Sequence, residues 1–391
     1  MVQKDAVNYD KIVCDNGSGF LKMGFAGDDY PRYTVPSIVG RPMLRSGQSV
    51  GDIELKEMMF GEQANPYRAL LEISYPVEEG RVNNWDDFEK LWKYTFFDRM
   101  GVGKDLSSKG ILVTEAALNP QRNREKMVEL IFEKFGFGGC MFESQALLSL
   151  MAEGNNTGLV FDSGDGVSHV IPVTEGYIQT HAIQRLNLAG RHVTNYLVRL
   201  LMLRGYAFNS SADFETVRDI KEQLCFVSYD VKKDRKLADE TTYHDKEYTL
   251  PDKTTIRIGR ERFEAAECLF NPLLANVEDR GIADMIYESV TKVEIDMFVP
   301  LVSNIVLTGG TTMFPGLSSR VDRELRQIFT KEKFGGDASR VGKTGLTVHD
   351  PPRRKHSVFI GASFLASRSP PDSWCSRAEY EEKGVKCIWN R

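Results

Sequence analysis

The sequence predicts a duplicated α/β fold, and three observations predict it. Strand-like and helix-like segments alternate along the chain, the pattern of layered α/β proteins. Two short strings of one design recur about a domain's length apart: Asp15-Asn16-Gly17-Ser18-Gly19 after Ile12-Val13-Cys14, and Asp162-Ser163-Gly164-Asp165-Gly166 after Leu159-Val160-Phe161. With 391 residues there is room for about two to three domains, so the recurrence reads as one α/β unit present twice.

Each string is an apolar strand, an acid, a glycine-rich hairpin turn and a second strand, expected from Phe20 to Ala26 in the first case and from Val167 to Val173 in the second. Glycine lacks a Cβ and reaches φ > 0, so such a turn aims several backbone N–H groups at one anion. The segment from Asn84 to Met100 has helix grammar: Asn84 as N-cap, Asp86 and Asp87 in the first turn, and Trp85, Phe88, Trp92 and Phe96 at three-to-four spacing before Gly101. In a second helix Asn119 is the expected cap, Pro120 opens it, Met127, Leu130 and Ile131 are its buried stripe, and Gly136 follows its end. A third runs over about residues 190–203, with Val193, Leu197, Leu200 and Leu201 inward and Gly205 beyond it. The stripes of these helices are core. A further glycine string, Gly309-Gly310 through Gly316, follows the strand Ile305-Val306 and leads into a helical pattern from Leu317 to Ile328. There the backbone can approach a ring or sugar closely, which suits the adenosine end of a nucleotide. Two facing hairpins then describe a clamp on a polyphosphate in a cleft between lobes, with Asp15 and Asp162 holding a hydrated Mg²⁺.

Composition narrows the class. A hydrophobic share of 41% with 27% charged residues is that of an ordinary soluble globular chain. The formal net charge of −5 leaves no electrostatic footprint for nucleic acid as a main ligand. Arg353-Arg354-Lys355 and Lys386 with Arg391 are local basic groups that read as solvated charge or a patch for an acidic protein. The six cysteines are scattered, without a C-x-x-C pair or a histidine at ligand spacing; Cys14 falls in a strand and Cys225 in a helix, which suits reduced, buried thiols in the cytosol. Met1-Val2-Gln3-Lys4-Asp5 begins no apolar run, and no run approaches the ~20 residues that span a bilayer, so no membrane insertion is expected.

The strings around Asp15, Asp162 and Gly309 resemble the two phosphate motifs and the adenosine motif shared by actin, Hsp70-type chaperones and sugar kinases. Longer stretches narrow the resemblance to the actin family, over essentially the whole chain: Pro36-Ser37-Ile38-Val39-Gly40-Arg41-Pro42, Asn84-Trp85-Asp86-Asp87, Leu188-Ala189-Gly190-Arg191, Val217-Arg218-Asp219-Ile220-Lys221-Glu222, and Arg354-Lys355-His356-Ser357-Val358 with Ile360-Gly361. The chain departs from conventional actin in places. Its start lacks a run of acids, Glu79 stands where actin has a histidine, Arg353 replaces an acid, and residues 331–347 form a longer loop before Asp350-Pro351-Pro352. Together with Leu71-Glu72-Ile73-Ser74-Tyr75-Pro76, Arg204-Gly205-Tyr206-Ala207-Phe208-Asn209 and Ala212-Asp213-Phe214-Glu215-Thr216, these look like an actin-related member of the family.

The resemblance implies an actin-like ATPase fold of two α/β lobes around a nucleotide cleft. The first lobe is expected over residues 1–152 plus 357–391 with a small insertion at about 40–75, the second over 153–356 with an insertion at about 189–277. It implies ATP or ADP with Mg²⁺ as cofactors. Lys22, Ser18 and the N–H groups of Gly17 and Gly19 would hold phosphate from one lobe, and Gly164, Asp165 and Gly166 from the other. Asp15 and Asp162 would hold Mg²⁺ through water. Gln145 and His169 match a water-positioning pair, with Asp162 nearby. A glutamine cannot accept a proton, so a general base worth typically ~10²–10⁴-fold is missing and hydrolysis should be slow. Lys221, Glu222, Gly309, Gly310, Met313, Phe314 and Lys355 would surround adenine and ribose, although Lys221 and Glu222 also read as surface charges on an amphipathic helix.

The implied function is that of a template protomer in the seven-subunit complex that nucleates branched actin filaments, with actin-related protein 3, the other subunits, actin and nucleation-promoting factors as partners. Its implied location is the cytoplasmic actin cytoskeleton, in the cortex and cell projections. The alternatives are a self-polymerising filament protein and, further off, a sugar-kinase-type phosphotransferase. A chaperone reading is weaker, because the chain ends at Arg391 without a peptide-binding domain. ATP should favour a closed cleft and hydrolysis should relax it, which makes the molecule a nucleotide-gated scaffold.

Overall fold

The computed structural model describes residues 10–43 and 56–389. Residues 1–9, which include the acid-poor start, residues 44–55 of the expected first insertion, and Asn390 and Arg391 of the altered end lie outside the described residues. The chain divides into two compact units, one of residues 1–155 with 356–391 and the other of residues 156–355.

The first unit is built on a six-stranded sheet in the order Cys375–Ser376, Gly139–Ser144, Lys109–Glu115, Asp10–Asn16, Phe20–Phe25, Tyr33–Pro36. Asp10–Asn16 and Phe20–Phe25 form an antiparallel hairpin, while Lys109–Glu115 runs parallel to Asp10–Asn16 on one side and to Gly139–Ser144 on the other. The second unit repeats the plan. Gly158–Ser163 and Ser168–Thr174 form the hairpin, Ile305–Thr308 and Val348–His349 follow in parallel, and Tyr177–Ile178 and Gln184–Leu186 pair antiparallel with the second hairpin strand. The duplication read from two glycine strings is thus a duplication of sheet topology. Each second strand is set slightly differently from the expectation, ending at Phe25 rather than Ala26 and running over Ser168–Thr174 rather than Val167 to Val173.

Helices cover these sheets as their apolar stripes dictate. Asn84 caps Trp85–Lys93, its side chain accepting from the Asp87 N–H at 3.1 Å, a contact worth about 1 kcal/mol. The helix continues as a wider turn over Tyr94–Arg99, and Phe88, Trp92 and Phe96 are fully buried against Phe135 and Phe137. Each such side chain contributes on the order of 1.5–3 kcal/mol by burial. The second helix differs at its start: Pro120, not Asn119, occupies the cap position of Gln121–Glu129, because the Asn119 amide donates to Glu115 at 3.0 Å instead. The third helix, Gly190–Leu203, buries Val193, Leu197 and Leu201. Ser211–Leu224 ends just before Cys225, so that cysteine lies past the helix and not within it; it is buried all the same, as are the other five. In the longer loop, Asp337 caps Ala338–Lys343 and sends Val341 and Leu346 into the second unit's core. No helix among the described residues is long and apolar enough to cross a membrane.

One close approach fixes how the first unit closes on its sheet. Helix Ser357–Arg368 packs on Gln145–Ala152, and a Cβ built on Gly361 would stand 1.9 Å from the Leu148 carbonyl oxygen. Neither helix backbone can yield cheaply, so Gly361→Ala is expected to destabilise the protein by about 1–3 kcal/mol. Gly103→Ala, whose Cβ would meet nothing within 4 Å, should shift the melting temperature far less. Equal melting temperatures for the two variants in a thermal shift assay would contradict this packing.

Candidate functional site

In the first unit three parallel strands end side by side, and their carboxyl ends carry Asp15, Thr114 with Glu115, and Ser144 followed by Gln145. Open α/β sheets bind ligands at such ends. Asp15 is only 3% exposed, and burying a carboxylate is costly unless donors surround it. Here they do. Thr114 Oγ1 donates to Asp15 Oδ1 at 2.7 Å, Gln145 Nε2 donates to the same oxygen at 3.2 Å, and Lys22 Nζ lies 3.2 Å from Oδ2. Lys22 is the register partner of Asp15 across the hairpin, so the ion pair follows directly from the strand pairing.

The turn itself is held from one side. The Ser37 N–H donates to the Gly19 carbonyl at 2.9 Å and the Ser37 hydroxyl to the Gly17 carbonyl at 2.8 Å. Ser18 Oγ accepts from the Gly80 N–H at 2.9 Å, which ties the turn to the small hairpin of Val77–Glu78 and Arg81–Val82 that carries Glu79 at φ 48°. Asn16 Oδ1 accepts from the Trp92 indole at 3.1 Å. Sequence reasoning missed Thr114, Ser37, Gly80 and Trp92 as parts of this assembly. The signal for Thr114 was there: Ile111-Leu112-Val113 is an apolar run closing on a polar residue, just as Ile12-Val13-Cys14 closes on Asp15.

In the second unit Asp162 and His169 are register partners across the hairpin, as Asp15 and Lys22 are in the first, and His169 is buried at 1% exposure. The turn's carbonyls are again occupied: Gly164 O accepts from the Gly190 N–H at 3.1 Å and from Thr311 Oγ1 at 2.6 Å, and Asp165 O accepts from the Arg191 N–H at 2.9 Å. The Asp165 carboxylate pairs with Arg191 at 2.8 Å, so its side chain is committed and its backbone is what the turn can offer an anion. Gly309, at φ 91°, lies so near this hairpin that a Cβ would stand 2.3 Å from the Ser163 carbonyl oxygen and 2.7 Å from Asp162 Oδ1, which only glycine permits.

Lys221 is 6% exposed, and its ammonium donates to Gly190 O at 2.9 Å and Thr194 Oγ1 at 3.0 Å. It is not a surface charge; burial pushes its pKa below the ordinary lysine value, with Asp165 and Glu222 acting the other way. Glu222 is exposed and sits 3.8 Å from Arg218. Met313 is 39% exposed, Phe314 is packed in the core, and exposed Lys355 follows Arg354, whose guanidinium is buried on the Thr312 and Asp350 carbonyls. Within its own unit, therefore, each hairpin gathers its expected neighbours, Gln145 in one and Gly309, Gly310 and Lys221 in the other. Among the described residues no group of three or more His, Cys, Asp or Glu could hold a metal as a protein cage.

A profile of the family described as actin matches residues 7–391. Actin-related protein 2 of Drosophila melanogaster is 47% identical over 391 residues, covering 98% of this chain and 98% of that protein. Actin-related protein 2 of Acanthamoeba castellanii is 47% identical over 379 residues, 96% and 97% of the two chains. Actin-related protein 2 of Arabidopsis thaliana is 46% identical over 383 residues, 97% and 98%.

Beside Gln145 the carboxyl of Glu143 is raised above its ordinary value, first by burial, against which the Ser144 N–H at 2.8 Å and Arg124 work in the opposite direction. A carboxyl raised on folding favours the native state below its unfolded pKa and loses that contribution as pH rises through the folded value. At neutral pH, above the unfolded value, burying Glu143 is therefore a cost. Glu143→Gln should raise the melting temperature at pH 7 and have no such benefit near pH 4, where both side chains are neutral; a variant equally or less stable at pH 7 would contradict the assignment.

Proposed function

Because the chain belongs to the actin family and has its actin-like α/β fold, we propose that it is the Mg-ATP-binding actin-related subunit of the actin-related protein 2/3 complex, which nucleates branched actin filaments. The observation that carries the proposal is the repeated hairpin, with an aspartate before each glycine turn and a basic side chain at the same register position in both, within a chain similar over nearly its full length to proteins named actin-related protein 2. In this reading the two compact units are the two repeats of the fold, and each hairpin is a phosphate-binding element.

The residues fit the ligand. The carbonyls of Gly17, Gly19, Gly164 and Asp165 are taken up within their own units, and the N–H groups of Gly19, Asp165 and Gly166 donate to no acceptor among the described residues. A Cβ on Gly164 or Gly310 would meet nothing within 4 Å, so backbone there is approachable. Lys22 would exchange part of its bond to Asp15 for phosphate oxygens, with Ser18 and Gly17 beside it, while Asp15 and Asp162 would hold Mg²⁺ through water, a mode that suits its preference for keeping several waters. The metal neutralises phosphate charge when bound. Gln145 and His169 would orient a water, and since a glutamine amide takes no proton, turnover would be slow, the property of a timer. Lys221, Glu222, Gly309, Gly310, Met313, Phe314 and Lys355 would line the adenosine end. Its cellular setting in this reading is the cytoplasmic actin cytoskeleton, with actin, actin-related protein 3 and nucleation-promoting factors as partners.

Tagged chain purified from its own cells should bring down a set of seven subunits by mass spectrometry, and the isolated chain should stay in the supernatant under conditions that polymerise actin. A chain that pellets by itself as filaments would favour the self-polymerising alternative. Asp162→Ala should weaken Mg-ATP binding by roughly tenfold or more, the scale of one charge-assisted contact; unchanged affinity in a titration would remove Asp162 from the metal site.

A further inference from the structure

Among the described residues, Thr114 is the hydroxyl that touches both groups the proposed nucleotide chemistry uses in the first unit. It is 4% exposed, at the end of the strand that lies between those bearing Asp15 and Gln145. Its single proton goes to Asp15 Oδ1 at 2.7 Å, and its oxygen receives Gln145 Nε2 at 3.3 Å. Threonine is stiff at χ1, and a strand backbone fixes its Cβ, so this hydroxyl is a rigid post between a carboxylate and an amide that have rotameric freedom of their own. The duplication provides an independent pointer. In the second unit Thr308 is the register partner of Asp162 on the neighbouring parallel strand, so a threonine stands beside the hairpin aspartate in both units. Thr308 Oγ1 also donates to the Arg354 carbonyl at 3.2 Å.

We propose that Thr114 is a positioning residue for the nucleotide site: its hydroxyl sets the carboxylate plane of Asp15 and holds the Gln145 amide, so that one Asp15 oxygen is saturated from inside the protein and the other faces Lys22 and the ligand. The inference rests on the nucleotide reading above and names a residue that acts through Asp15 and Gln145. With two donors already on Oδ1, the outward oxygen is the one left for exchange between Lys22 and metal-bound water. Without the hydroxyl the carboxylate and amide lose their common reference, and both nucleotide retention and water placement suffer together.

The chemistry of the side chain separates this role from packing. Valine keeps the volume of threonine and loses the hydroxyl; serine keeps the hydroxyl and loses a methyl group. In the full chain purified with its natural partners, release of etheno-ATP in the presence of Mg²⁺ is followed by fluorescence. Thr114→Val should release the probe roughly tenfold faster than wild type, and Thr114→Ser should stay within about twofold of it, in line with the loss of one charge-assisted hydrogen bond. If Thr114→Val does not fold, Thr114→Ala against Thr114→Ser makes the same comparison, because both lack the methyl group and only serine keeps the donor. Val or Ala variants that retain the probe like wild type overturn the proposal, and so does a serine variant as impaired as they are. A wild-type chain that retains no etheno-ATP overturns the nucleotide reading itself, whereas an unaffected valine variant of a binding-competent wild type overturns this inference alone.

Discussion

A carboxylate charge almost out of contact with water organises the first unit. Asp15 is only 3% exposed, and donors converge on its carboxylate from three directions, Lys22 across the hairpin, Thr114 from the next strand and Gln145 from the helix after the strand beyond. Those donors exist where they do because the sheet is parallel on that side of the hairpin, so three strands deliver their ends to one place. Removing any one partner would leave the buried carboxylate with a donor fewer, which links the register of the sheet to the chemistry at its edge.

The same constraint explains the glycine turns. In each turn two carbonyls are taken up within its own unit, those of Gly17 and Gly19 by Ser37 and those of Gly164 and Asp165 by Gly190, Thr311 and Arg191, while N–H groups of the same turns donate to no acceptor among the described residues. Positive N–H dipoles next to a buried carboxylate make sense together if the site takes an anion and a cation at once. A magnesium–nucleotide complex is such a pair, and the family to which the chain belongs gives that reading its setting.

Much of this was legible in the sequence because it is written in local rules. The Asn84 cap, the Gly190–Leu203 stripe and both hairpins depend on residues near one another in the chain, and they formed where the pattern implied. What escaped notice depends on partners distant in sequence. Asn119 looked like a cap and instead donates to Glu115; Lys221 looked as much like surface as site and became a buried ammonium on Gly190; Thr114 went unnoticed and became the link between Asp15 and Gln145. Propensity describes what a segment prefers, and only the tertiary arrangement decides which polar group answers which.

Whether the buried Asp15 and the glycine turn beside it serve a bound nucleotide is tested most directly by native mass spectrometry of the purified chain in Mg²⁺ after addition of ATP, with Asp15→Ala measured alongside. ATP or ADP retained with its metal by the wild-type chain and lost from the variant is the predicted result. No nucleotide on the wild type at saturating ATP, or equal retention by the variant, would contradict the account.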